Sequence, residues 1–371
     1  MKLLKDRKKH NKILYKRLLI SIIFISFALL VILLLQELLM PKYMNEIHEG
    51  NLVAEYYEQE KNHDIIFIGD CEVFSNVSPV KLWEDYGISS YIRGSAQQLI
   101  WHSYYLLEDT LRYEKPKVVV YNVLAMKYNE PQKEAYNRLT IDGMKFSKTK
   151  IDAVNASMME DESFISYFIP ILRYHSRWQE LTGEDFKYWF NRDTISHNGY
   201  LMRADIKPVT SFPQAKKMAD YQFGENSYDY LDRITKLCKD KGIKLILIKS
   251  PSVYPYWYPE WDEQMVQYAE ENDITYINFL DMAEEMDIDY SMDTYDGGLH
   301  LNLSGAEKFT KHFGKILSED FDLEDHRKDP AYQKIWDEKV DFYYEMRDDQ
   351  LQEMKEYGYL KSYGAPAPLA E

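Results

Sequence analysis

The sequence predicts an α/β fold, a three-layer sandwich around a five-stranded, mainly parallel sheet. One transmembrane helix precedes it, and a helical insertion interrupts it. Short apolar runs alternate with helical segments, and this alternation is typical of βαβ units, which require a parallel sheet. An apolar run near the N-terminus is long enough to cross the hydrocarbon core of a bilayer. The 371 residues suffice for one large domain or two small ones.

The apolar run extends over 18 residues from Leu18 to Leu35, with Ser21 and Ser26 as its polar members. Residues 1–17 contain eight Lys or Arg and one Asp, a net charge of +7, whereas the whole chain carries −16. The run continues into residues 36–41 without the small-residue cleavage motif of a secretory signal. We therefore predict an uncleaved signal anchor over 18–40. Basic flanks stay inside, so residues 1–17 form a cytoplasmic tail and the rest lies outside the cytoplasm.

The strong negative charge beyond the anchor argues against a nucleic-acid partner, because phosphates need a basic surface. Two cysteines outside the cell could form one disulfide. Cys238, however, falls on the predicted inner face of a helix, where a small thiol usually packs. We therefore predict that Cys71 is free.

The first half of the chain predicts three strands and their helices. Residues 41–62 are polar with a helical pattern and are predicted as a stalk or first helix. Val118–Tyr121 is a continuous apolar run, as expected for a strand buried on both faces. The other predicted elements are a strand over 64–69, a helix from Pro79 capped by Ser78 and ended by Gly87, a strand over Ile88–Arg93 closed by Gly94, and a helix over Gln97–Tyr113.

Residues 127–222 interrupt this alternation. They are rich in Met, aromatic and charged residues, with helical stretches but no clear strand. We predict a mainly helical insertion, which could be a lid, a polymer-binding surface or padding.

The alternation then resumes, so that an α/β domain is predicted over 63–325. Its remaining elements are helices over Tyr228–Lys241, Trp261–Asn272 and Gly305–Leu317 (capped by Ser304), and strands over Lys244–Ile248 and Ile274–Phe279. Residues 326–371 predict an amphipathic helical extension with a disordered end around 365–368. Its candidate docking residues are Ile335, Trp336, Phe342 and Leu351.

Two polar stretches are predicted to meet at one edge of the sheet. Cys71 follows the first strand, and His300 follows the last strand in a Gly-containing loop. The carboxyl ends of parallel strands open on the same edge, so the two side chains can come within hydrogen-bond reach. A nucleophile needs a base, and the base often needs an orienting acid. Asp296 is the nearest acid upstream of His300, and Asp293 is a second candidate.

A developing oxyanion would also need hydrogen-bond donors. The backbone N–H groups of Cys71 and Gly94 are candidates, because a glycine lets the backbone approach closely. The side-chain amide of Asn122, at the end of the third strand, is a third candidate.

These blocks resemble those of the SGNH/GDSL hydrolases, which have a flavodoxin-like sheet. The resemblance lies in Gly69-Asp70-Cys71 after a strand, Gly94 after the next strand, and Asp296 with His300-Leu301-Asn302 near the C-terminus. In that family the blocks supply a nucleophilic Ser in Gly-Asp-Ser, a Gly, an Asn, and the acid and base of Asp-x-x-His. The resemblance covers roughly residues 60–125 and 225–320 and leaves out the insertion.

The anchor and two further short sequence segments narrow the resemblance to one branch of the family. With Ile169-Pro170 to Trp178 and Lys249-Ser250-Pro251, the chain looks like the anchored extracytoplasmic SGNH proteins of Gram-positive bacteria. These are similar to the proteins of lipoteichoic-acid D-alanylation and alginate O-acetylation. The resemblance implies acyl transfer to a cell-surface polymer such as teichoic acid of the cell wall. It also implies a multipass membrane O-acyltransferase as partner and no cofactor.

The chain departs from the family pattern at two positions. Cys71 replaces the nucleophilic Ser, and the acids Asp70 and Glu72 beside it raise a thiol pKa, so His300 would have to activate it. Asp296 precedes His300 by four residues rather than three. A bulge at Gly297 or Gly298 would restore the geometry; otherwise His300 acts with Cys71 as a dyad.

Purely structural roles of the candidate catalytic residues remain open beside the catalytic ones. Cys71 could be the relic of a lost serine, His300 a helix cap, and Asp296 or Gly94 a plain turn residue. Three further residues are candidates for substrate binding: His175, Arg177 and Lys249. An Arg can hold an anionic polymer, but Arg177 could equally pair with Glu180 or Glu184, and Lys249 could be a solvated strand end. The histidines lack metal-ligand spacing. Acyl transfer, ester hydrolysis and non-catalytic polymer binding are the functions considered.

Overall fold

The computed structural model describes residues 2–41, 52–190 and 194–363. The chain forms two compact units. The smaller consists of residues 1–42 and 163–193, and the larger of residues 43–162 and 194–371.

The larger unit contains a five-stranded sheet in the order β2-β1-β3-β4-β5. Every neighbouring pair of strands is parallel, which confirms the predicted α/β class and parallel arrangement. The chain moves outward from β1 to β2 and then back past β1 to β3, so the order reverses between β1 and β3, where such sheets place their ligands. The strands are β1 Ile65–Gly69, β2 Ser90–Gly94, β3 Val118–Asn122, β4 Lys244–Lys249 and β5 Thr275–Asn278.

Burial follows from the composition of the strands. All residues of β1, β2 and β3 are buried. β1 and β3 are apolar runs, as expected for strands covered on both faces, whereas β2 also buries Ser90 and Arg93. The edge strand β5 is partly exposed. The rigid, buried strands therefore hold the edge at which Cys71 lies.

Thirteen helices are present in the described residues. Helices α5 and α10 contact each other, and α3, α4 and α12 form a second contacting group. The helices are α1 Lys2–Leu39, α2 Leu52–Glu55, α3 Cys71–Asn76, α4 Pro79–Tyr86, α5 Ile100–Thr110, α6 Glu134–Ile141, α7 Lys148–Ser157, α8 Ile171–Tyr174, α9 Gly183–Phe190, α10 Glu225–Lys241, α11 Pro259–Asn272, α12 Leu303–Asp320 and α13 Pro330–Tyr357.

Local signals fix several helix ends. The Ser78 hydroxyl accepts a hydrogen bond from the backbone N–H of Lys81, and Pro79 begins α4 as predicted. Gly87 ends α4 with φ of 69°, a conformation that favours glycine. The prediction for α12 is wrong by two residues: Asn302, not Ser304, caps it, by accepting a hydrogen bond from the N–H of Gly305.

The described part of the insertion is helical up to residue 190 and irregular over 201–222. It contains α6 to α9 and short 3-10 turns over 164–167 and 175–179. Residues 163–193 belong with α1 in the smaller unit, a division that the sequence did not predict.

The C-terminal extension packs along one face. Trp336, Tyr343 and Gln350 of α13 are buried at seven-residue spacing, and Trp336 stacks on Trp83 with ring centroids 5.0 Å apart. Docking by Trp336 is thus confirmed, whereas Leu351 is exposed and its prediction is wrong. Residues 364–371, which include the predicted disordered end, lie outside the described residues.

Residues 41–62 are predicted as a stalk or a first helix, and their described part contains the short helix α2. Leu52, Val53 and Tyr56 are buried in the larger unit. In the smaller unit, α1 contains a stretch, Asn11–Leu39, that is long and apolar enough to span a membrane.

Candidate active site

Cys71 lies at the carboxyl end of β1, where the strand turns directly into α3. The Asp70 carboxylate caps that helix by accepting the backbone N–H of Glu72 at 3.1 Å. Gly69 makes the turn possible, because a Cβ there would lie 2.6 Å from Cγ2 of Val73. The turn thus places a half-buried thiol at the first residue of a helix.

Gly94 lies beside this turn. It pairs with Gly69 in the parallel register of β1 and β2. A Cβ at Gly94 would come within 3.3 Å of the Gly69 carbonyl oxygen, so a side chain would press on the turn. The structure therefore brings Gly94 to the same strand edge as Cys71, as the parallel arrangement predicts.

Asp296 and His300 are in direct contact. Nδ1 of His300 lies 2.6 Å from Oδ2 of Asp296, and the backbone N–H groups of His300 and Leu299 donate to Oδ1 at 3.0 and 3.1 Å. The four-residue spacing allows this contact because Gly297 and Gly298 have positive φ values, 86° and 105°, which turn the loop between the two side chains. The carboxylate thus fixes both the loop and the imidazole, leaving Nε2 as the acceptor nitrogen.

Asp293 is engaged elsewhere. Its Oδ2 accepts from the Lys308 ammonium at 2.7 Å and from the backbone N–H of Asp289 at 2.8 Å. Of the two acids that the sequence offered, the one in contact with His300 is Asp296.

His300 also interacts with Cys71. Burial lowers the pKa of His300, but Tyr295, the Cys71 thiol and the Asp296 hydrogen bond raise it, and the pKa lies well above its ordinary value. Burial raises the pKa of Cys71, the attraction of His300 lowers it, and repulsion from Asp70 and Glu72 raises it further. The thiol and the imidazole thus shift each other's pKa. The buried Nε2 of His300 has no hydrogen-bond partner in the described residues.

An aromatic and cationic stack that the sequence did not reveal supports the imidazole. The Tyr295 ring lies parallel to His300, with centroids 5.4 Å apart and an interplanar angle of 16°. The Arg203 guanidinium lies 4.6 Å from the Tyr295 centroid and 4.1 Å from that of Tyr363. The Tyr295 hydroxyl lies 3.1 Å from the Ser75 hydroxyl of α3. The stack ties the His300 loop to the helix that carries Cys71.

A buried ion pair lies beneath the turn. The Lys249 ammonium donates to Oε1 and Oε2 of Glu72 at 3.0 and 3.2 Å, and both side chains are 0% exposed. It also donates to the Ser250 carbonyl at 2.6 Å. The sequence offered Lys249 as a substrate contact or a solvated strand end. We correct this: the side chain has no exposed surface, and it neutralises a carboxylate that burial would otherwise disfavour.

Asn122 belongs to the same network. Its Nδ2 donates to Asp70 at 3.2 Å and to Glu72 at 2.9 Å, and its Oδ1 accepts the Ser250 N–H at 3.1 Å. Both amide hydrogens are therefore engaged by carboxylates. An oxyanion role for Asn122 stays a prediction, and it would require the amide to leave one of them.

Asn76, the last residue of α3, joins three segments. It donates to the hydroxyls of Ser250 and Ser252 at 2.7 and 3.0 Å, and its Oδ1 accepts the Leu301 N–H at 2.8 Å. The residue after His300 is thus held by the helix that begins with Cys71. No local pattern in the sequence indicates these contacts, because the partners are 174 to 225 positions away.

A second cation lies near the thiol. Lys127, just after β3, attracts Asp70, Glu72 and Cys71, and burial lowers its pKa. Its attraction opposes the effect of burial, which raises the pKa of Asp70. Lys127 and Lys249 therefore offset in part the effect of burial on the acids that flank Cys71, whose pKa values remain raised.

His175 and Arg177 lie in the smaller unit, whereas Cys71 and His300 lie in the larger one, and their role in substrate binding stays a prediction. Arg177 donates to the carbonyl of Leu39 at 2.8 Å and to Asp185 at 3.2 Å, and its Nε is 3.6 Å from Glu180. The structural ion pair considered beside polymer binding is present.

In the part of the chain that is described, no group of three or more His, Cys, Asp or Glu side chains is arranged to hold a metal ion. Comparison with protein-family models gives no match for this chain, and comparison with curated proteins gives none.

Proposed function

We propose that this protein is a membrane-anchored, extracytoplasmic acyltransferase of the SGNH type, with a three-layer sandwich fold, that modifies a cell-surface polymer through an acyl-Cys71 intermediate. One observation carries the proposal: a strand-end thiol and a half-buried imidazole shift each other's pKa, and Asp296 holds one nitrogen of that imidazole. Nucleophile, base and orienting acid in this order are the machinery of acyl transfer.

In the first step, Nε2 of His300 takes the Cys71 proton, and the thiolate attacks the carbonyl carbon of an acyl donor. The carbonyl electrons move to the oxygen, which the backbone N–H groups of Cys71 and Gly94 would hold. The oxyanion collapses, the bond to the leaving group breaks, and the leaving group takes the proton from His300. The product is a thioester on Cys71.

In the second step, a hydroxyl of the acceptor polymer loses its proton to His300 and attacks the thioester carbonyl. The carbon–sulfur bond breaks, and the thiolate recovers the proton. The sum transfers one acyl group from donor to polymer. With water as acceptor the same steps make the protein an esterase, because nothing in the triad distinguishes water from a sugar hydroxyl.

The anchor would hold this chemistry at the cell surface. The apolar stretch Asn11–Leu39 would cross the cell membrane once, with the basic N-terminus in the cytoplasm. A multipass membrane O-acyltransferase is the partner that would bring acyl groups across. The resemblance of the blocks points to a Gram-positive host.

The test is the ester-linked acyl content of surface polymers in cells that produce the wild-type protein, Cys71→Ala or Cys238→Ala. We expect Cys71→Ala to abolish the contribution of this protein and Cys238→Ala to leave it unchanged. An esterase predicts the opposite sign, more acyl ester in Cys71→Ala cells. Equal acyl content in all three would mean a non-catalytic role.

A further inference from the structure

The smaller unit has an apolar surface whose composition differs from that of the larger one. Residues 163–190 expose seven large apolar side chains, and these are Phe164, Ile165, Ile169, Leu172, Trp178, Phe186 and Phe190. The described residues 52–162 and 194–363 together expose nine. A concentration of this kind marks a site of interaction with a partner or a membrane.

The exposed residues are spread over several short helical elements. Phe186 and Phe190 are four positions apart in α9 and therefore lie on one face of that helix. Ile165 lies in the 3-10 turn over 164–167, Leu172 lies in α8, and Ile169 lies between these two elements. Leu172 is 52% and Phe190 82% exposed, so both α8 and α9 contribute to the exposed apolar surface.

This segment is built onto the end of α1. Leu38 and Leu39 are each 7% exposed, whereas the large apolar residues earlier in α1 are exposed. The Arg177 guanidinium donates to the Leu39 carbonyl, and Asp185 holds the same guanidinium. A cation on the last carbonyls of a helix is a favourable cap. We refer to residues 163–190 as the collar.

The position of the collar along α1 identifies what covers it. At 1.5 Å per residue, the uncharged run Leu18–Leu35 is about 27 Å long, which matches a hydrocarbon core of about 30 Å. Leu38 and Leu39 follow within about one helical turn, at the depth of the lipid headgroups. Tyr and Trp are enriched at that depth in membrane proteins, and the collar carries Trp178 and Trp189.

We infer that the collar lies in the headgroup layer of the leaflet that α1 leaves at its C-terminal end, with its exposed apolar side chains inserted among the lipids. This goes beyond the proposed acyl transfer and rests on its anchor, since it requires that α1 crosses a membrane. A protein partner is the other occupant to consider. Lipid is favoured because the surface continues the apolar surface of α1, and because the collar has three basic and three acidic residues, hence no net charge to select a charged partner.

The test is depth measurement by spin labels in the full-length chain with Cys71→Ser and Cys238→Ala. Single cysteines are introduced as Leu172→Cys, Phe190→Cys, Glu180→Cys and Phe27→Cys. The labelled proteins are reconstituted into phosphatidylcholine–phosphatidylglycerol vesicles that contain no other protein. Glu180, whose side chain is 69% exposed, is the matched polar control within the collar, and Phe27 reports the depth of α1. Collision with oxygen and with a water-soluble nickel complex gives the depth of each label.

We expect the labels at 172 and 190 to lie about 5–10 Å below the headgroup boundary, the label at 27 deeper, and the label at 180 in water. If 27 is deep but 172 and 190 are as accessible to nickel as 180, the lipid inference is overturned and the surface awaits a protein partner. If 27 is also accessible, the anchor and the inference fail together. Neither result bears on acyl-thioester formation at Cys71, which is tested separately.

Discussion

The two cysteines of this chain show how much the surroundings of a thiol decide its chemistry. Cys238 lies in α10, is 1% exposed, and has a pKa raised to about 12 by burial. Cys71 lies at the end of β1, and burial raises its pKa as well. At Cys71, however, His300 opposes that effect, and at Cys238 burial is the sole cause of the shift.

The difference is one of partners. Around Cys71 there are an imidazole, a carboxylate that holds this imidazole, and two lysines that attract the flanking carboxylates. A thiol without such partners is inert packing, and a thiol with them can be a nucleophile. Cys238 therefore serves as an internal control for every experiment on Cys71.

The largest effect is expected from His300→Gln, which removes the base and keeps a side chain of similar polarity. We expect acyl-thioester formation on Cys71 to fall by about 10²–10⁴-fold, the range for a general base. The rate is measured by mixing the protein with an activated acyl ester, stopping the reaction at set times, and determining the mass of the intact protein. If His300→Gln reacted as fast as the wild type, His300 would not activate Cys71, and Cys71 would react like an ordinary solvent-exposed thiol.

Lys249→Met is expected to act on stability. It leaves the Glu72 carboxylate buried without its counter-ion, at a cost of about 3–5 kcal/mol in the free energy of unfolding. Chemical denaturation checks this. The double variant Glu72→Gln/Lys249→Met is the control, and it should recover most of the loss. A Lys249→Met protein as stable as the wild type would mean that the pair is not buried as described.

Asp296→Asn is expected to have an intermediate effect on rate and a defined effect on pH dependence. The Asp296 hydrogen bond raises the pKa of His300, so its loss lowers that pKa. The acid limb of the rate of thioester formation should therefore move to lower pH, while the maximal rate falls by about 10²-fold. A limb that stays in place would show that Asp296 is a turn residue only.

Tyr295→Phe should give the smallest effect. It keeps the ring over His300 but removes the hydroxyl that meets Ser75. The loss of one such hydrogen bond corresponds to about 0.5–1.5 kcal/mol, or about tenfold at most. Tyr295→Ala, which also removes the stack, should slow thioester formation more. Equal rates for the two variants would exclude a role for the stack.

The sequence predicted the frame of this site well, for a local reason. Runs such as Val118–Tyr121 are apolar because they are buried on both faces, and glycines such as Gly87 mark turns that need a positive φ. These signals lie within a few residues of the element that they specify. The meeting of Cys71 and His300 also followed, from the rule that parallel strands open at one edge.

What the sequence could not predict depends on contacts between distant residues. Lys249 seemed a surface lysine because its partner Glu72 is 177 positions away, and Asn76 meets Leu301 over 225 positions. For Arg177 the sequence left polymer binding and a structural ion pair open, and it could not reveal the hydrogen bond to Leu39, which lies 138 positions away. Such contacts leave no periodic pattern.

The central claim is that Cys71 forms an acyl-enzyme with His300 as its base. The most direct measurement exposes wild-type protein and His300→Gln to an activated acyl ester and maps the adducts by peptide mass, with Cys238 read in the same sample. The account predicts a hydroxylamine-labile acyl group on Cys71 of the wild type, little on Cys71 of His300→Gln, and none on Cys238. Equal acylation of Cys71 in both proteins, or none in either, would contradict it.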